Sequence, residues 1–188
     1  MHKFSILLGA ALAAAPSLHA QWNQLSPGSA PSPRGGAAMT FDGNSQQLVL
    51  FGGSAGFSYL SDTWTFDGED WTQITTATLP AGRADTGVVY DAARGVALMY
   101  GGNIGGGPWG GPADDTTWTF DGTDWTQLQP ANTPGGRALH GMAYDTSRGV
   151  TVIYGGVDDL AFPIARAETF EFDGTDWTQV TTAASPGP

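Results

Sequence analysis

The chain has no cysteine, a single lysine and three histidines in 188 residues. Without cysteine there are no disulfides, no thiolate metal ligands and no cysteine nucleophile. Charged residues make up only 13%, and they are lopsided: 18 acids face 7 bases, a formal charge of −11. Such a surface repels nucleic acid and anionic lipid and leaves basic partners or cations as the charged ligands it favours. No apolar run is long enough to span a bilayer, and no amphipathic helical period follows the first twenty residues.

The N-terminus reads as a leader. Lys3 supplies a positive start, residues 4–15 form a short apolar run, Pro16 breaks it, and Leu18-His19-Ala20 ends in a small residue. This predicts a secretory signal over residues 1–20, cleaved before Gln21, and a secreted, periplasmic or cell-surface protein. Cleavage removes the one Lys and two of the three His, so the formal charge moves from −11 to −12.

What the chain does have is glycine, 28 residues of it, and a pattern repeated three times. Arg34, Arg83 and Arg137 each precede a Gly-Gly pair by 18 residues: Gly52-Gly53, Gly101-Gly102 and Gly155-Gly156. A segment of variable length follows, then a near-identical unit ending in Asp-Trp-Thr-Gln, with Trp71, Trp125 and Trp177. A period of about 50 residues points to a propeller or a solenoid. In the third copy, residues 138–144 read as a small-residue strand and 150–154 as an apolar strand buried on both faces. Residues 168–172 and 177–180 form a second hairpin turning at Asp173-Gly174. Four short antiparallel strands per unit describe a propeller blade, stabilised by stacking on its neighbours. The Trp residues should then lie between blades rather than in a ligand cleft.

Gly-Gly after an apolar strand, an aromatic some ten to sixteen residues on, and a Trp opening the last strand resemble the Kelch repeat. Arg137-x-x-His140 is similar to the start of a Kelch first strand, where the other copies carry Ala37 and Thr86. The resemblance covers residues 34–180, with repeats at about 34–80, 83–134 and 137–186 within a propeller segment at 21–188. It resembles bacterial exported Kelch proteins and, more distantly, the central propeller of galactose oxidase. It implies an all-β, Kelch-type β-propeller segment of three four-stranded antiparallel blades. One extra strand is expected at residues 21–25, which read like a lone fourth strand. Propellers usually need four to eight blades, so the segment is expected to be an incomplete or open ring, with self-association through its exposed terminal faces.

The resemblance does not bring the copper chemistry of galactose oxidase. That site takes a Tyr–Cys crosslink and two His ligands, and only His140 remains here after cleavage. No nucleophile elbow is present, and residues 101–107 are Gly-rich but lack the Lys and helix of a phosphate loop. The Asp-Gly-x-Asp-Trp hairpins differ from sialidase Asp-boxes because Asp and Gly are adjacent. No catalytic residue, metal ligand set or cofactor is therefore expected. Calcium alone stays open, with Asp114-Asp115 and Asp158-Asp159 as oxygen donors outside any EF-hand pattern.

Residues common to all copies should build the fold. Arg34, Arg83 and Arg137, with Asp62, Asp115 and Glu168, are expected to form an ion pair or Arg-to-backbone bonds in each blade. Residues that differ should carry function. The segments between the second and third strands, 54–61, 103–114 and 157–167, hold Phe57, Tyr59, Trp109, Asp158, Asp159, Phe162 and Arg166 as binding candidates. The sequence thus favours a non-catalytic binding module for a protein or glycan. A carbohydrate-active propeller and a propeller fragment without independent function are the alternatives.

Overall fold

A computed structural model describes residues 22–105 and 111–181. The leader at 1–20 and Trp109 lie outside the described residues. Each repeat forms one four-stranded antiparallel sheet. The first blade is β1 (Ala38–Asp42), β2 (Gln47–Phe51), β5 (Thr63–Phe66) and β6 (Trp71–Ile74), with a small hairpin of β3 (Ser54–Ala55) and β4 (Ser58–Tyr59) inserted after β2. The second is β7 (Gly87–Asp91), β8 (Val96–Tyr100), β9 (Thr117–Phe120) and β10 (Trp125–Leu128). The third is β11 (Gly141–Asp145), β12 (Val150–Tyr154), β13 (Thr169–Phe172) and β14 (Trp177–Val180). The first strands β1, β7 and β11 lie against one another in succession, so they form the inner edge of a curved stack.

Burial follows stacking. Residues 97–100 of β8, in the middle blade, are buried without interruption, whereas β12 alternates between buried and half-buried side chains. The expectation that the second strand is covered on both faces holds where a blade stands on each side; among the described residues, β12 has a neighbouring blade on one side. Two apolar cores fill the two junctions. Val49 and Phe51 meet Ala97, Met99, Trp118, Phe120 and Trp125; Val89, Leu98 and Tyr100 meet Ile153, Phe172 and Trp177. A fully buried Trp contributes several kcal/mol at roughly 25 cal/mol per Å².

Two local expectations need correction. The lone fourth strand at residues 21–25 is not formed by residues 22–25, and Trp22 is fully exposed. Each of the three blades already has its own fourth strand, so none needs this segment to complete its sheet. The second hairpin also does not turn on Asp-Gly alone. Phe172 pairs with Trp177, leaving four residues in the loop. The Asp173 carboxylate accepts the N–H groups of Thr175 and Asp176 at 2.8 and 3.0 Å, an Asx turn that needs the longer loop. Asp67 and Asp121 do the same in the other blades.

Candidate functional site

One end of the stack is assembled from a recurring frame and three unequal loops. The frame begins with arginine. Arg34, Arg83 and Arg137 each donate from Nη1 to the carbonyl of the first Gly of their pair, Gly52, Gly101 and Gly155, at 2.9, 2.9 and 3.1 Å. Each of these glycines has φ between +65° and +70°, a left-handed backbone that points its carbonyl at the guanidinium. Gly53 and Gly102 then donate to the carbonyls of Arg83 and Arg137 in the following blade at 2.8 and 3.0 Å. The pair therefore closes one strand and ties it to the next blade.

The carboxylate partners differ from blade to blade. Asp62 pairs with Arg34 and also accepts the Trp64 indole N–H at 2.6 Å. Burial pushes the Asp62 carboxyl up, but the hydrogen bonds from Arg34 and Trp64 outweigh it and leave the pKa below its ordinary value. In the second blade these duties are split. Thr116 accepts the Trp118 indole at 2.9 Å, and the acid on Arg83 is Asp114 at 2.8 Å, not Asp115. Asp115 sits one position before Thr116 and is exposed. In the third blade Phe170 replaces the Trp, and Arg137 lies over its ring at 5.2 Å while donating to the Pro134 carbonyl. Glu168 reaches Arg137 through its field, not as a hydrogen-bonded carboxylate. Burial lowers the pKa of both Arg83 and Arg137 from its ordinary value.

The loops rise from bridges that repeat in each blade. Gly35 pairs with Ser54, Ala84 with Asn103 and Ala138 with Val157. Beyond these roots the loops diverge but touch. Gly105 lies beside the Tyr59 ring, where a Cβ would come to 3.4 Å. Pro112 bridges to Asp159, Ala113 donates to the Asp158 carbonyl at 2.8 Å, and Leu160 donates to Gly111. Through their described residues the three insertions touch in succession and form a ledge.

Of the predicted binding residues, Phe57 and Phe162 project outward, 86% and 83% exposed. Tyr59 is half-buried against the second loop. Asp158, Asp159 and Arg166 shape their own loop. Asp158 accepts from Arg166 at 3.0 Å and from the Ile164 N–H, and Asp159 accepts from the N–H groups of Ala161 and Phe162. Sequence reasoning missed Ile104 and Ile164, which extend the apolar rim at 43% and 65% exposure. Their signal was only an isoleucine in a Gly- or Pro-rich loop. Asp114 serves Arg83 and Thr116, and among the described residues no group of three His, Asp or Glu is placed to hold a metal ion.

His140 packs on the inner edge, 5.8 Å from the Tyr100 ring, with neither ring nitrogen hydrogen-bonded. Burial and then the Arg137 charge lower its pKa to about 4. A neutral imidazole wedged beside Tyr100 and Gly87 acts as packing, consistent with its place in the repeat.

None of the curated proteins matches the chain. The family model described as the KLHDC2/KLHL20/DRC7 Kelch-repeats domain matches residues 17–188. With three sheets in propeller-blade order and the Arg and Gly-Gly frame at each junction, the chain belongs to the Kelch-repeat family.

Proposed function

We propose that this chain is an exported, non-catalytic protein-binding module that meets its partner with the loop ledge. The observation that carries the reading is the division of labour at that end. The repeated Arg residues are bonded to the Gly-Gly carbonyls and Trp125 and Trp177 fill the two blade junctions, while Phe57, Ile104, Phe162 and Ile164 project from loops that differ in every blade. Apolar side chains held on hydrogen-bonded loops suit a partner surface. The apolar run at residues 4–15 ending at Ala20 supports export. The outer faces of the first and third blades are a second, separate surface suited to self-association.

Affinity isolation from surface and secreted extracts tests the reading. A protein partner retained by the wild type and by a Thr175→Arg control at the opposite end should be lost from a Phe57→Ser, Phe162→Ser, Ile164→Ser variant. Retention by that triple variant, or recovery of a glycan rather than a protein, would sink it.

A further inference from the structure

The linker into each new blade is held in the same way at both described junctions. Thr78 donates its main-chain N–H to Asp124 at 2.8 Å, and Asn132 donates its own to Asp176 at 2.7 Å. The two linkers also have the same length, from Trp71 to Arg83 and from Trp125 to Arg137. The third-strand side chains next to them differ. Trp118 is 8% exposed and belongs to the apolar core of the first junction. Phe170 holds that position at the second junction, half-buried at the margin of the core. With the linker tied in the same place, the smaller ring leaves space. A hollow of about 430 Å³ lies there, lined by Asn132, Thr133, Phe170, Trp177, Thr178 and Gln179. Small-ligand clefts occupy roughly 300–1,000 Å³.

The lining combines aromatic rings with neutral polar groups, and none of its six side chains is charged. Gln179 pairs with Phe170 across β13 and β14, and strand alternation puts both on the Trp177 side, toward the second blade. The Gln179 side chain is exposed, and its amide bonds to no other described residue. Asn132 also donates Nδ2 to Asp176 at 2.6 Å, which fixes its amide and leaves the amide oxygen as a free acceptor among the described residues. Thr133 adds a hydroxyl. Arg137 covers one face of the Phe170 ring at 5.2 Å, and the rest of that ring lines the hollow. Trp177, 1% exposed, backs it.

We propose that this hollow binds a neutral pyranoside. A pyranose ring has an apolar C–H face, which suits the uncovered part of Phe170. Its rim of hydroxyls both donates and accepts, as the Gln179 and Asn132 amides and the Thr133 hydroxyl do. A charged side chain of a peptide finds no counter-charge in the lining, and an anionic sugar meets a chain of formal charge −11. The site uses none of the ledge residues, so loss of partner capture and loss of sugar binding are separate results.

Titration calorimetry and saturation-transfer NMR of the full chain with methyl glucoside, methyl galactoside and methyl mannoside test it. At least one should bind saturably, with its ring C–H protons receiving the transferred signal. Phe170→Trp restores the residue type of the other two blades and fills the hollow. It should weaken that sugar by about tenfold or more while urea unfolding stays cooperative. If it misfolds, Gln179→Leu, at an exposed position, should weaken the same sugar several-fold. The Phe57→Ser, Phe162→Ser, Ile164→Ser variant should bind the sugar like the wild type. Failure of all three sugars to bind, a glucuronide bound as tightly as the neutral sugar, or unchanged affinity in a folded hollow variant would overturn the proposal. Loss of the sugar in the folded ledge variant would overturn it as well.

Discussion

The indole N–H of Trp177 meets the Thr117 hydroxyl of the preceding blade at 3.0 Å, with both residues 1% exposed. Trp125 and Thr63 repeat the contact one blade earlier at 2.9 Å. A fourth-strand Trp therefore does two things at once: it fills the gap between two sheets and fixes their register with a hydrogen bond. That combination explains why the Trp recurs while the loops around it change.

Thr63→Val should expose the cost of this bond. The methyl group fits, but the buried Trp125 N–H loses its acceptor, and the expected loss is about 1–3 kcal/mol in urea unfolding. Trp125→Phe with Thr63→Val should be less destabilising than the sum of the single changes, since both ends of the bond are gone. Trp71→Phe, on an outer face, should cost the monomer much less.

The second prediction separates Asp114 from its neighbour. Asp114→Ala leaves the Arg83 guanidinium, 1% exposed, without its carboxylate, and stability should fall by roughly 3–5 kcal/mol. Asp115→Ala, at an exposed position, should stay within about 0.5 kcal/mol of the wild type. Equal losses would return the ion pair to Asp115.

A third concerns pH. The folded pKa of His140 is lowered to about 4, while the unfolded chain holds it near its ordinary 6.5. The unfolded state then takes up the proton first as pH falls. The neutral-His stability is complete above pH 6.5 and is lost on the way down to about 4, a change of about 3 kcal/mol at most. His140→Gln should flatten that part of the stability curve. An unchanged slope between those pH values would refute the burial of a neutral imidazole.

The glycine pairs give a fourth. At Gly52 an added Cβ would come to 2.5 Å from the Arg83 carbonyl of the next blade, and at Gly101 it would meet the Arg137 carbonyl more closely still. At Gly155 the nearest atom among the described residues is 3.5 Å away. Gly155→Ala should therefore cost only the left-handed backbone, about 1–2 kcal/mol. Gly101→Ala should cost visibly more, measured as Tm in matched scans.

Much of this was legible in the residues. Eighteen-residue spacing from Arg to Gly-Gly is a property of one strand pair and its turn, so it marked the blades and their number directly. The Trp positions followed, because only an inter-sheet gap needs so large a side chain in every repeat. Asp114 was less legible: the repeat aligns Thr116 with Asp62, and a side chain two residues earlier reaches back to do the pairing. The thread of Gly36, Asp85 and Leu139 left no signal either, since two of the three left-handed residues are not glycine. The candidate loops were identified by their inequality, but which aromatics point outward depended on bonds between loops, such as Ala113 to Asp158.

The central claim is that what repeats builds the blades and what varies does the binding. Hydrogen exchange of the chain, alone and with the protein partner recovered by capture, tests it most directly. The account predicts new protection at Phe57 and Tyr59, at Ile104, and across residues 158–166. Protection confined to the turns at the opposite end, residues 43–46, 92–95 and 173–176, with the ledge unchanged, would contradict it.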